Sequence, residues 1–192
     1  MAHSLSTKWS LYLYEKPLED NENYADFIKK IGFFDNVEDF WRLFSHIKPV
    51  DTFDEKCAVH LFKNESRAMR EDQEHVNGGS FLIRVSKQLS QYYWEKLVLS
   101  LIGNNMPDDV VGAIISSRGI YSLIFLWNRT SSDIELLKNI CLEFAKATNL
   151  QPGTRIDYTY HNNSEGNTVH FLYNEQTITQ FRIPTQKSQH TK

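Results

Sequence analysis

Alternating positions in Trp9-Ser10-Leu11-Tyr12-Leu13-Tyr14 have the period of a half-buried strand, and a polar loop follows over residues 15–23. The next segment, to Phe34, shows no clear period and reads as irregular. Asp35-Asn36-Val37-Glu38 then has the form of a capping box, with Asp35 accepting from backbone N–H groups and Glu38 reaching back. The helix it predicts runs to about Ile47 and stops before Pro49. Strands are predicted over 58–62 and 81–86, on either side of a charged loop ending in Gly78-Gly79, and a second helix over 91–102 ends at Gly103. Two apolar runs, 110–116 and 120–127, flank Arg118-Gly119 and predict a hairpin. A third helix starts from a Ser131/Ser132 cap and reaches Thr148, and further strands are expected at 155–160, 169–173 and 177–183.

Hairpins interspersed with three helices indicate an α+β fold: a single curved antiparallel β-sheet with the three helices packed on its convex face. Such a sheet leaves its concave face free to line a site. No composition shift or linker divides the chain, so residues 1–192 read as one domain, with a polar, disordered tail at 184–192.

Composition adjusts this picture at a few points. With 41% hydrophobic and 23% charged residues the chain is an ordinary globular protein, and its 13% aromatic content is the unusual feature. A net charge of −3 excludes nucleic-acid binding by bulk positive charge, so a polyanion would need a local basic site. Two cysteines, Cys57 and Cys141, exclude a disulfide framework and make the reducing cytosol or nucleus the expected compartment. No apolar run is long enough to span a bilayer, so no membrane association is expected. Phosphate loops, dinucleotide fingerprints, zinc-protease and nucleophile-elbow motifs are absent, and the seven histidines lack metal-ligand spacing. The sequence therefore points to no enzyme activity, no metal and no cofactor.

Val37-Glu38-Asp39-Phe40-Trp41, ending in His46-Ile47, closely resembles the first helix of the translation initiation factor 4E family, the mRNA cap-binding proteins. Further pieces follow in the family's order: Trp9, Leu61-Phe62-Lys63, the turn from Met69 to Asp72, Gly78-Gly79 before an aromatic, Trp94, Leu101-Ile102-Gly103, Asp108-Asp109-Val110, Gly112-Ala113, Arg118 and Trp127. The resemblance covers residues 3–161. Residues 162–192 run longer than the family's C-terminal loop and are expected to add strands.

The resemblance implies a pocket for 7-methylguanosine, in which two aromatic rings sandwich the base, a carboxylate takes its N–H edge, a third Trp touches the methyl group and basic residues hold the phosphates. A cationic methylated base suits electron-rich indole faces. By matching position, Tyr24 replaces the first sandwich Trp and Arg70 the second. Glu71 matches the carboxylate, Trp127 the methyl-contacting Trp and Arg118 a phosphate ligand, while two other phosphate positions fall on Ser80 and Leu123. Losing one stacking face, at about 1–3 kcal/mol, implies roughly 5–150-fold weaker binding. Ion pairing of Arg70 with Glu71 is a further expectation, which would alter the ligand. Taken singly, each residue has a plainer reading: Trp127 as core, Tyr24 as an incidental loop aromatic, Glu71 and Arg118 as solvated charges. Only the joint pattern lifts them above background.

On the first helix the apolar positions 37, 40, 41, 43, 44 and 47 cover an arc of about 160°, wider than a core-facing stripe requires. The resemblance implies that Val37 and Trp41, with Leu99 of the second helix, accept a Tyr-x4-Leu-hydrophobic helix from a scaffold subunit or a repressor. His3 and Leu5 match the family's N-terminal contact segment. Lys96 stands where the family has an acid, which shifts partner preference away from basic residues. The expected protein is a monomer working within a complex with capped mRNA. The competing expectation is an adaptor or translational repressor whose cap pocket has degenerated and which acts through Trp41.

Overall fold

The computed structural model describes residues 2–15, 24–55, 57–162 and 168–181. Among the described residues nine strands, β1 (Ser4–Glu15), β2 (Ile28–Asn36), β3 (Cys57–Lys63), β4 (Gly79–Ser86), β5 (Val110–Arg118), β6 (Tyr121–Asn128), β7 (Arg155–Tyr160), β8 (Thr168–Asn174) and β9 (Thr177–Phe181), form one curved sheet in the order β2-β1-β3-β5-β6-β4-β7-β8-β9. Every neighbouring pair is antiparallel. Helices α1 (Val37–Phe44), α2 (Lys87–Ile102) and α3 (Ile134–Thr148) all lie on one face.

Side-chain alternation separates the two faces. Val59 and Leu61 of β3, Phe81 and Ile83 of β4, Ala113 and Ile115 of β5, and Ile124 and Leu126 of β6 pack with Phe40 of α1, Trp94 and Leu97 of α2 and Ile140 and Phe144 of α3. The intervening residues Ala58, Phe62, Ile114 and Trp127 form a second, smaller apolar cluster on the opposite face, with Tyr14 and Phe125 against it. The hairpin between β5 and β6 turns through Gly119, whose φ of 71° favours a residue without a Cβ.

Several local features differ from expectation. The segment read as irregular is the edge strand β2. Only Ile28 and Phe34 of it are buried, and its pairing with β1 is interrupted by two register shifts, so no clean alternation reaches the sequence. The cap of α1 is Asn36, not Asp35: its side chain accepts from the Asp39 N–H at 2.8 Å, and its amide donates to the Asp39 carboxylate at 2.7 Å. Glu38 is unavailable as the return partner because it accepts from His3, and α1 ends at Phe44, where the Ser45 hydroxyl donates to the Trp41 carbonyl. The α2 helix begins four residues earlier than its apolar pattern, through a polar first turn. The cap of α3 is Asp133, since the Ser131 hydroxyl is spent on the Asn77 carbonyl. β8 and β9 supply the expected added strands; the tail at 184–192, with residues 182 and 183 of the last expected strand, lies outside the described residues.

Candidate functional site

The face free of helices holds a cavity of about 660 Å³, and all five residues assigned to the base-binding pocket line it: Tyr24, Arg70, Glu71, Arg118 and Trp127. They arrive from separate segments. Tyr24 opens a short 3-10 turn after β1, Arg70 and Glu71 sit in the loop joining β3 to β4, Arg118 ends β5, and Trp127 lies in β6. Cross-strand pairing of Gly112 with Trp127 and Ile114 with Phe125 builds the floor, because paired residues share a face.

Tyr24 is 41% exposed and leans on Tyr14, ring centroids 4.7 Å apart. Its phenol is pushed up to about 12, first by desolvation and then by Tyr14, while the cations Arg70 and Arg118 act in the opposite sense. Both guanidiniums therefore sit within electrostatic reach of that hydroxyl. Glu71 and Arg70 are exposed at the mouth, and no ion pair joins Arg70 to Glu71 or to another described carboxylate. The expected neutralisation is absent, so the Glu71 carboxylate stays available to a donor.

Trp127 is only 3% exposed. Phe62 and His75 meet its ring edge-on at 5.4 and 5.3 Å, and His161 lies tilted against it at 4.2 Å. Desolvation holds His161 down to about 4, so the ring beside Trp127 is neutral at pH 7. Its Nδ1–H donates to the His75 carbonyl at 3.0 Å. The two positions from which the resemblance removes charge behave accordingly: Ser80 is buried opposite Trp127, and Leu123 is half-buried opposite Ser116.

Sequence reasoning missed Tyr14, His60, Ile114, Ser116 and Phe125, which also line the cavity. His60 is 1% exposed, neither ring nitrogen has a hydrogen-bond partner among the described residues, and burial lowers it to about 4. A signal existed, since each missed strand residue occupies the parity opposite to the core positions of its own strand. Without knowing which face the helices cover, that parity names no site.

On the helical side, Trp41 is 49% exposed and touches Phe40 and Phe44, while Val37 is half-buried one turn earlier. Leu99 is 43% exposed on α2, and Lys96 lies over the Tyr92 ring at 5.7 Å. His3 is tied to the start of α1: its carbonyl accepts from the Val37 N–H at 2.9 Å, while its backbone N–H and ring bond to Glu38 and hold that carboxyl down to about 2. Leu5 packs against the main core.

The family model for Eukaryotic initiation factor 4E matches residues 4–176, which carries the family likeness through β8 and beyond the expected limit at residue 161. An Arabidopsis thaliana eukaryotic translation initiation factor NCBP is 32% identical over 165 residues, 84% of this chain and 75% of that protein. A solved complex of Caenorhabditis elegans eIF4E-3 with the 4E-binding protein Mextli and a cap analog superposes with a TM-score of 0.79 at 26% identity, covering 84% of this chain and 94% of that one. Ascaris suum eIF4E-3 bound to an m2,2,7G cap gives 0.79 at 27% identity, over 88% of this chain and 97% of that one. A family match over most of the chain, the shared curved sheet and the shared order of motifs lead to one conclusion: this chain belongs to the eukaryotic initiation factor 4E family.

Proposed function

We propose that this protein binds the 7-methylguanosine cap of mRNA in the concave cavity, weakly for its family, and docks a Tyr-x4-Leu-hydrophobic helix on its helical face. Tyr24 offers one π face to the cationic base, a contact of about 0.5–2 kcal/mol. Glu71 accepts from the N–H edge of the base, Trp127 walls the methyl group and Arg118 takes a phosphate. Arg70 can stack through its guanidinium plane, but its charge opposes a methylated base, and Ser80 and Leu123 add no charge on the phosphate side. The observation that carries this reading is the convergence of Tyr24, Glu71, Arg118 and Trp127 on one cavity, with Glu71 in no ion pair among the described residues. Relatives solved with a cap analog, an m2,2,7G cap and a 4E-binding protein support the same two ligands. On the opposite side, Val37, Trp41 and Leu99 present the apolar anchors that a helix-in-groove partner buries, and His3 and Leu5 flank the start of α1.

The protein would act as a monomer within a translation complex in the cytosol or nucleus. Arg70 favours a second reading, an adaptor that has lost the cap and keeps the partner helix. Tryptophan fluorescence with 7-methylguanosine triphosphate against unmethylated GTP separates them. Saturable, methyl-selective quenching in the micromolar range is the expected result; no response up to millimolar ligand leaves only the adaptor.

A further inference from the structure

Beyond the cavity the helix-free face continues across β5, β6 and β4, and the cap reading leaves Arg84 and Tyr121 there unused. Arg118, at the cavity rim, pairs directly with Tyr121 across the β5–β6 hairpin, so both side chains share the concave face. On β6 the next residue of that face is Leu123, which pairs with Arg84 of β4. The Arg84 guanidinium lies over the Tyr121 ring, 4.2 Å from its centroid. Two strand spacings, about 10 Å, separate the strand that carries Arg118 from the one that carries Arg84.

Charge on this strip is unbalanced. Neither Arg84 nor Arg118 has a carboxylate partner among the described residues, although Glu55 lies against the turn at Gly119. The carboxylate facing this surface from β7, Asp157, is already held by Arg155 at 2.6 and 2.8 Å and by His170 at 2.7 Å. Two guanidiniums without a carboxylate partner among the described residues, one lying over an aromatic ring, make a surface that binds a phosphate and stacks a base. A base beyond the cap is neutral, so guanidinium stacking there lacks the repulsion that Arg70 exerts on a methylated guanine.

We propose that Arg84 and Tyr121, together with Arg118, form a second nucleotide subsite, which holds the phosphate and base that follow the cap along the RNA. The inference rests on the cavity's taking the cap, and it assigns to Arg84 the phosphate that lies beyond the cap's own triphosphate. The subsite makes affinity depend on RNA length rather than on the methylated base alone.

The test compares wild type with Arg84→Ala and Tyr121→Ala against 7-methylguanosine triphosphate, a capped RNA pentamer and the same pentamer with an uncapped 5′-triphosphate. Wild type should bind the capped pentamer at least about 5-fold more tightly than the mononucleotide, the lower end of one stacked base. Either variant should remove that gain and leave mononucleotide affinity unchanged. Arg84→Ala should also lower the salt slope of pentamer binding by about 0.7. Equal pentamer affinity in wild type and variants overturns the subsite, and so does a parallel loss for both capped ligands. If 7-methylguanosine triphosphate does not bind wild type at all, the cap reading fails separately. Uncapped-pentamer binding that depends on Arg84 then upholds the subsite, and binding indifferent to Arg84 overturns it. Urea midpoints exclude misfolding: Arg84 is exposed, so Arg84→Ala should equal wild type, and the half-buried Tyr121 makes Arg84→Ala the variant that decides if Tyr121→Ala is destabilised.

Discussion

Acid should destabilise this protein through His60, and a single substitution isolates the effect. The His60 ring is buried in the cavity floor with no partner for either nitrogen among the described residues, so protonation there places an unpaired cation in a desolvated site. Its affinity for a proton falls from the ordinary 6.5 to about 4 on folding. Between those values the unfolded chain binds more protons than the folded one, so stability declines as pH drops through 6.5 and levels off below 4. Linkage between the two affinities gives a loss of about 2 kcal/mol at pH 5 from His60 alone. His161 titrates in the same direction, and His75 is also lowered by desolvation, so wild type should fall further than His60 alone dictates. His60→Leu keeps the volume close and removes the titration. At pH 7.5 it should be neutral or mildly stabilising, since an unsatisfied buried polar group costs about 1–3 kcal/mol. Urea unfolding at pH 7.5, 6 and 5 measures the difference. The variant should lose about 2 kcal/mol less than wild type between the first and last conditions. Parallel declines would refute the argument, because they would mean that His60 finds a hydrogen-bond partner or water in the folded state.

Two further outcomes test the two faces. Arg70→Trp restores a neutral stacking ring opposite Tyr24 and should raise 7-methylguanosine triphosphate affinity by roughly 5–150-fold; an unchanged constant in the fluorescence titration would mean that the loop carrying position 70 no longer faces the base. Trp41→Ala removes a half-exposed anchor and should weaken capture of a Tyr-x4-Leu peptide by at least about 30-fold, the effect of a 2 kcal/mol hot spot. Peptide capture equal to wild type, with an unchanged urea midpoint, would move the docking site elsewhere.

Local pattern was enough to mark β1, β3 to β7, α2 and α3, by apolar residues recurring at the period of the element or, in β5, which is buried on both faces, by a continuous apolar run bounded by turn residues. It failed at β2, whose edge position and register shifts leave most of its side chains exposed. It misplaced the caps of α1 and α3 as well. Asp35 or Asn36, and Ser131 or Asp133, are equally good caps in sequence, and the choice fell to distant groups, His3 drawing off Glu38 and Asn77 drawing off Ser131. The residues of the site were named by motif, but the motif could not reveal the histidine beneath them. Nor could it settle whether Arg70 would pair with Glu71, which depends on how two loop side chains are aimed.

Sequence by itself determined the fold class, the family likeness and the chemical types brought to the cavity, since these depend on short-range pattern and on residue identity at fixed spacing. Tertiary structure alone decided which of those groups are desolvated, which are paired and which share a face. Tyr24, Glu71, Arg118 and Trp127 lie far apart along the chain and meet only because strand order places β6 between β5 and β4 and sheet curvature turns their common face inward. Burial and charge proximity are properties of that closure. For this reason the neutral His60, a Glu71 without an ion pair among the described residues and the guanidinium of Arg84 lying over Tyr121 had no counterpart in the linear pattern.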